Sequence, residues 1–433
     1  MTAIAILNGR LVDPAAGVDG PKDILLVDGR VAEIAATGKL KKTNGAQVLD
    51  ATNLVVAPGL IDLHVHLREP GQGYKETIAS GTAAAAAGGF TAVAAMPNTA
   101  PVNDSPEVTR WMQSPERGAQ IRVFPIAAAT RGSKGEALTD YPALKAAGAV
   151  ALSDDGRPIL KDGLMREALV AAARSGLTLI QHAEDTRQTQ GASMNLGQVS
   201  FKLGLRGISA ESESAIVERD IRLVAELRDI HPHLHVAHIS TAGALAAVRQ
   251  ARRNGLRVTC EVSPHHMLLT EEHVGLYNTN AKMSPPLRSA ADRDAMIEGI
   301  LDGVIDCIAT DHAPHAQHEK EIEFDLAPNG ITGLETALGL SLRWLHNEWK
   351  LPLGRVLSLL SAQPAALIGL KGRGTLAAGS FADAVVFDPK AEWNYQITQT
   401  KSKSKNSPFD GWTMQGKVRW TISEGRIAYA AEA

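Results

Sequence analysis

Residues 59–98 read GLIDLHVHLREPGQGYKETIASGTAAAAAGGFTAVAAMPN. One apolar run ends in His64 and His66, an alanine-rich stretch follows, and a second apolar run ends at Asn98. A short apolar run bounded by polar residues suits a buried strand, and the longer alanine stretch suits a helix, so this segment predicts one β-α-β unit. Side chains two apart on a strand share a face. His64 and His66 are therefore expected to share a ligand, with Arg68 within reach of the same space.

The alternation continues. Eight apolar runs end in polar or titratable residues: GLIDLHVH, FTAVAAMPN, IRVFPIAAAT, GAVALSDD, LTLIQHAE, LHVAHIS, LRVTCEVSPHH and VIDCIATDH. Helix-like segments such as LMREALVAAARSG and SAIVERDIRLVAELRDI lie between them. Eight such units predict an α/β fold, a (β/α)8 TIM-type barrel over 58–368, with its chemistry at the C-terminal strand ends. No glycine-rich phosphate loop follows the first run, which disfavours a doubly wound open sheet. Residues 1–57 and 369–433 read differently, as short strands with turns, and Asn8-Gly9 and Asp28-Gly29 are hairpin signals. Neither flank alone has enough strands to close a core, so the two are expected to form one small composite β-domain.

Composition narrows the class. A net charge of −3 provides no whole-molecule attraction to nucleic acid or acidic membranes, so an anionic ligand must be held by local charge. The two cysteines, Cys260 and Cys307, are far apart and lack CxxC spacing, which argues for a reducing cytosol and against a disulfide framework. There is no signal-like N-terminus and no apolar run of membrane-spanning length. A cytoplasmic enzyme acting on a small molecule is expected.

If the barrel closes, its strand ends bring together His64, His66, Asn98, Asp154, Asp155, His182, His238, His265, Asp311 and His315. Imidazole and carboxylate together suit zinc, and this many donors exceed the needs of one catalytic ion, so one or two ions are expected. Strand alternation puts Leu234, Val236 and His238 on one face and His235 on the other. His238 lies nearer the C-terminal end and is the expected ligand, whereas His231, His233 and His235 look like surface residues before the strand. Asp154 and Asp155 face opposite ways, and pattern alone leaves the choice open. His265 and His266 are ambiguous, and His312 reads as structural.

GLIDLHVHLREPG, MPNT, SDDG, HAE, AHIST, SPPLR and ATDHAPH together resemble the amidohydrolase superfamily and, within it, the class I bacterial dihydroorotases. The resemblance covers nearly the whole chain. It implies a (β/α)8 barrel with a composite β-domain, and zinc held by His64, His66, His182, His238 and Asp311. Many relatives bridge two metals with a carboxylated lysine from the fourth strand. Here ALSDDG has none, as in class I enzymes where an aspartate replaces it, and spacing to His182 favours Asp155. The implied reaction is the reversible interconversion of N-carbamoyl-L-aspartate and L-dihydroorotate plus water, in pyrimidine synthesis, with Asp311 moving the proton. Arg68 presents a planar fork suited to the substrate carboxylate. Asn98 and His315 are expected to add contacts, Gly330 to let backbone approach the substrate, and the segment after the eighth strand to form a mobile lid or rim. Ser284 stands where many relatives have a substrate-contacting asparagine.

Two rivals follow from the same resemblance. Hydantoinases and allantoinases normally keep the lysine that this chain lacks. Non-catalytic dihydroorotase-like subunits accompany aspartate transcarbamoylase in some bacteria, but they have lost ligands that are all present here. The resemblance implies a homo-oligomer, and a genuine enzyme of this kind can still bind that transcarbamoylase.

Overall fold

The computed structural model describes residues 2–40 and 45–432. Eight parallel strands run in sequence order around a barrel: Leu60–Val65, Phe90–Ala95, Arg122–Ala127, Ala151–Ser153, Thr178–Gln181, Leu234–Val236, Val258–Val262 and Cys307–Ile308. The ring closes just past the eighth strand, where the His66 N–H donates to the His312 carbonyl at 2.8 Å. Leu63, Ala94, Ile126, Ala151, Ile180 and Ala309 fill the interior. The opposite strand faces pack on the helices through residues such as Val93, Val123, Leu152 and Leu234. Both strand faces are covered, which is why these runs are apolar throughout rather than alternating.

Local chemistry starts the helices where the sequence changes character. Thr77 caps Ile78–Ala87 by accepting the Ser80 N–H at 3.0 Å, and Asp140 caps Tyr141–Ala147 through the Ala143 N–H at 3.1 Å. Gly71 has a φ of 97°, and a Cβ there would lie 2.1 Å from the Ala100 carbonyl oxygen. Glycine thus lets the loop after the first strand lie against the loop after the second.

The flanks build a second sheet together. Ala3–Asp13, Val18–Val27, Arg30–Ala35, Gln47–Asp50 and Val55–Pro58 come from the N-terminal side, and Ala384–Asn394, Thr413–Ser423 and Arg426–Ala430 from the C-terminal side. The halves join where Val55–Pro58 pairs antiparallel with Ala384–Asn394, and Ile6, Leu11, Ile24, Val56, Val386 and Ile422 form the shared core. One turn signal is reassigned. Asp28-Gly29 makes a hairpin, but Asn8-Gly9 lies inside the first strand at a register shift, with Asn8 at φ 64°. The left-handed conformation that Asn tolerates serves a bulge there.

No helix among the described residues is long and apolar enough to cross a membrane. Cys260 faces the helical layer, Cys307 faces the barrel interior, and both are buried free thiols.

Candidate active site

The C-terminal strand ends gather four histidines around one carboxylate. Asp155 Oδ1 lies 3.4 Å from His64 Nε2 and 3.7 Å from both His182 Nδ1 and His238 Nε2, and Asp155 Oδ2 lies 3.7 Å from His66 Nε2. Asp311 Oδ1 lies 3.0 Å from His66 Nε2 and 3.5 Å from His64 Nε2. All six side chains are buried. Asp154 points away, accepting the Thr130 N–H at 3.0 Å and also the Thr130 hydroxyl.

Three ring orientations are set from behind. His64 Nδ1–H donates to Glu261 Oε1, and His66 Nδ1–H to Asn98 Oδ1, both at 2.8 Å. His182 Nε2–H donates to Glu184 Oε2 at 2.9 Å. Each bond leaves the other ring nitrogen facing the cluster, the arrangement that outer hydrogen bonds impose on metal-binding histidines. Burial alone would push the Asp155 and Asp311 carboxyls up, but the neighbouring histidines, His64 foremost, hold both below the usual carboxylate range.

A metal fits this donor set. His64 Nε2 and Asp155 Oδ1 are buried without a hydrogen-bond partner, a costly arrangement unless another ligand satisfies them. The donor atoms of His64, His66 and Asp311 lie within 4.8 Å of one another, as do those of His64, Asp155 and His238. His235, Glu261 and Cys307 also approach this closely. There, however, the Glu261 oxygens already accept from His64 and His235, and burial pushes the Cys307 thiol up, away from the thiolate a metal needs.

A cavity of about 470 Å³ opens over the cluster, with Arg68, Asn98, Glu184, Ser284, Asp311 and His315 in its wall. Arg68 donates from Nε to the Pro314 carbonyl at 3.0 Å, and its terminal nitrogen lies 3.1 Å from His315 Nε2. Among the described residues it forms no ion pair, and burial pulls its guanidinium down to about 10. Burial, with Arg68, Lys75 and Lys320 nearby, pulls the His315 imidazole down to about 2 and keeps it neutral. Arg68, His238 and Asp311 all have positive φ, 61°, 28° and 48°. Non-glycine residues held this way carry a conformational cost that the surrounding fold must impose.

Several expectations change in detail. Asn98, expected at the substrate, directs its amide between two cluster residues, accepting from His66 and donating to Asp155 Oδ2 at 3.0 Å. Ser284 does line the cavity, 3.5 Å from Glu184 Oε2. Gly330 lies behind His315: its N–H donates to the Lys282 carbonyl, its carbonyl accepts from Asn406, and a Cβ would meet the Ala313 oxygen at 2.4 Å. His265 and His266 share the Ser263 hydroxyl at 2.8 and 2.7 Å.

His233 and His235 are not surface residues. Both are buried, bonded to Thr259 Oγ1 at 2.9 and 2.8 Å. The sixth strand turns Leu234 and Val236 outward and His235 inward, and it ends at Val236. His238 lies beyond the strand end and joins the cluster at a backbone position with positive φ, not through strand alternation.

The segment after the eighth strand is a braced rim. Lys282 Nζ donates to the Phe324 and Asp325 carbonyls at 2.6 and 2.9 Å, and Lys320 Nζ to the Pro328 carbonyl at 2.8 Å. Glu184 and Glu261 received no role from sequence. The HAE motif was a signal for the first. The second was hidden in an apolar run.

Comparison with known proteins places the chain. A family described as Dihydro-orotase-like matches residues 53–244. A dihydroorotase from Citrifermentans bemidjiense is 48% identical over 429 residues, covering 99% of this chain and 100% of that protein. One from Anaeromyxobacter dehalogenans is 50% identical over 427 residues, covering 98% and 97%. Among solved structures, L-hydantoinase from Arthrobacter aurescens superposes with a TM-score of 0.86 at 24% identity, over 100% of this chain and 97% of that one. Dihydropyrimidinase from Brevibacillus agri gives 0.84 at 23%, over 98% and 95%. The structural likenesses establish the shared barrel and sheet. The full-length relatives establish kinship: the chain belongs to the dihydroorotase family.

Proposed function

We propose that the protein catalyses the reversible, zinc-dependent interconversion of L-dihydroorotate and N-carbamoyl-L-aspartate, with one or two ions per subunit. The observation that carries this reading is Arg68: a half-buried guanidinium without an ion-pair partner among the described residues, on the wall of the cavity that also holds Asp311 and the histidine cluster. An unpaired guanidinium facing a cavity suits a carboxylate brought by the substrate.

His64, His66, His182, His238, Asp155 and Asp311 would hold the zinc, which supplies Lewis acidity at the barrel mouth when bound. In the hydrolytic direction, the oxygen of water joins the ring carbonyl carbon and the ring C–N bond breaks. Asp311, kept ionised by its neighbours, takes the proton from the attacking water and returns it to the departing nitrogen. Arg68 holds the substrate carboxylate by its planar fork, and His315 beside it, neutral, supports the same group. Ser284 faces the cavity and offers a hydroxyl where relatives offer an amide. Asn98 orients His66 and Asp155, and Gly330 lets the chain pass tightly behind His315.

The test is hydrolysis of L-dihydroorotate, a 5-substituted hydantoin, allantoin and dihydrouracil by one purified preparation, with bound metal quantified. Dihydroorotate should be preferred by orders of magnitude, and chelation should abolish turnover that zinc restores. A hydantoin or allantoin preference would reject the assignment.

A further inference from the structure

The C-terminal flank does more than complete the small sheet. Between Ile397–Gln399 and Thr413–Ser423 the chain crosses back to the barrel mouth. There Asn406, fully buried, makes three side-chain hydrogen bonds. Its Oδ1 accepts the His315 N–H at 2.9 Å, and its Nδ2 donates to the Ala313 and Gly330 carbonyls, each at 2.9 Å. The Asn406 backbone carbonyl accepts the Thr332 N–H at 2.9 Å. One amide therefore ties the turn carrying Pro314 and His315 to the segment around Gly330.

That turn is the platform on which Arg68 rests: the Pro314 carbonyl accepts its Nε–H, and the His315 ring, whose Nε2 lies 2.9 Å from the Asn329 carbonyl, packs beside its terminal nitrogen. The residues just before Asn406 hold the other side of the same platform. Ser402 Oγ and the Lys403 N–H both donate to Glu76, and Ser404 Oγ donates to the Lys75 carbonyl at 2.7 Å. Lys75 Nζ in turn lies 3.2 Å from His315 Nδ1. Asn406 itself does not line the cavity.

We propose that Asn406 is a positioning residue for the substrate-carboxylate subsite, holding the Ala313–His315 turn so that His315 and the Pro314 carbonyl fix the fork of Arg68. The inference rests on the reading of Arg68 as the carboxylate clamp. Asparagine is suited to the place because one planar group supplies the acceptor and both donors. Aspartate keeps the acceptor but sets carboxylate oxygen against two carbonyls, and alanine leaves the His315 N–H and the Ala313 carbonyl without partners and the Gly330 carbonyl with Lys320 Nζ alone, at 3.3 Å.

The experiment measures kcat and KM for L-dihydroorotate and for dihydrouracil, which lacks the carboxylate, in Asn406→Ala, Asn406→Asp, Arg68→Met and the Arg68→Met/Asn406→Ala double variant, with zinc measured on the same samples. Asn406→Ala should raise KM for dihydroorotate about tenfold with little change in kcat, leave zinc unchanged, and lower the preference for dihydroorotate over dihydrouracil by a similar factor. In the Arg68→Met background it should have no further effect on that preference, because the group it positions is gone. Asn406→Asp, which retains the volume, should act in the same direction and covers the case in which the alanine variant does not fold. Equal slowing of both substrates, loss of zinc, or an unchanged preference overturns the inference. If Arg68→Met loses the preference and Asn406→Ala multiplies that loss, Asn406 acts elsewhere and the inference fails while the clamp stands. If Arg68→Met keeps the preference, the clamp itself is refuted and the inference falls with it.

Discussion

Glu261 Oε1 lies 2.8 Å from His64 Nδ1, and Glu261 Oε2 lies 3.2 Å from His235 Nε2, inside the barrel below the cluster. The chain of contacts continues inward from His235 to Thr259, His233 and Thr178. Burial would push the Glu261 carboxyl up, but His235 and His64 hold it down at about 2. A single ionised carboxylate thereby fixes which nitrogen of His64 faces the cavity.

Glu261→Gln keeps the shape of that side chain but places an amide N–H where one carboxylate oxygen accepted. Outer-sphere changes of this type cost about 10- to 100-fold in metal affinity. Competition with a chelator should register that loss while the far-UV circular dichroism stays unchanged. An affinity equal to wild type would mean that His64 is oriented without Glu261.

Asp155 and Asp154 are neighbours with opposite surroundings. Asp155→Ala should abolish metal binding and activity, because its oxygens are the ones among the histidines. Asp154→Ala should keep its metal and lose stability instead, about 1–3 kcal/mol, through the abandoned Thr130 N–H and hydroxyl. Metal titration and denaturant melts on both variants decide it, and the reverse ranking would refute the assignment.

Arg68→Met preserves much of the stem volume and removes charge and donors. Hydrogen bonds to charged groups contribute about 1.5–3 kcal/mol, so kcat/KM for dihydroorotate should fall about 10- to 150-fold. Metal content should not change, and dihydrouracil turnover should be nearly unaffected. Intact dihydroorotate kinetics in this variant would remove Arg68 from substrate binding.

Glu335 holds the chain before Asn406, accepting the Lys401 and Ser402 N–H groups at 2.8 to 3.1 Å. Burial pushes its carboxyl from 4.5 up to about 7. Between those values the folded protein keeps a proton that the unfolded chain releases. The stability tied to that proton is complete below about 4.5 and is lost as pH rises through about 7. Glu335→Gln does not titrate, so its Tm relative to wild type should climb between about pH 5 and about pH 8. A constant difference across that range would show that Glu335 is not raised.

How much of this was written in the sequence depends on range. Eight apolar runs with their intervening helices specified the barrel, because strand and helix periodicity are local properties and both faces of each strand are buried. His64 and His66 were legible as a pair from their spacing alone. For the strand-4 carboxylate, alternation said only that Asp154 and Asp155 diverge and the family resemblance alone favoured Asp155; Thr130 and the histidines separate the two in space. His235 was misread as exposed because a short strand gives little pattern to count. His238 needed a backbone turn at φ 28° that no alternation rule contains.

The remaining parts were decided by closure of the fold. Glu261 lies 197 positions from His64, and Asn406 lies 91 positions from His315. Nothing in the local chemistry of either segment announces those partners. A hydrogen bond is directional and short, so its partner is chosen only when barrel closure and the returning C-terminal chain bring the groups within about 3 Å. The sequence by itself determined the repeating units and most of the residues that meet at the strand ends. Tertiary structure decided which nitrogen, which aspartate and which distant amide hold them in place.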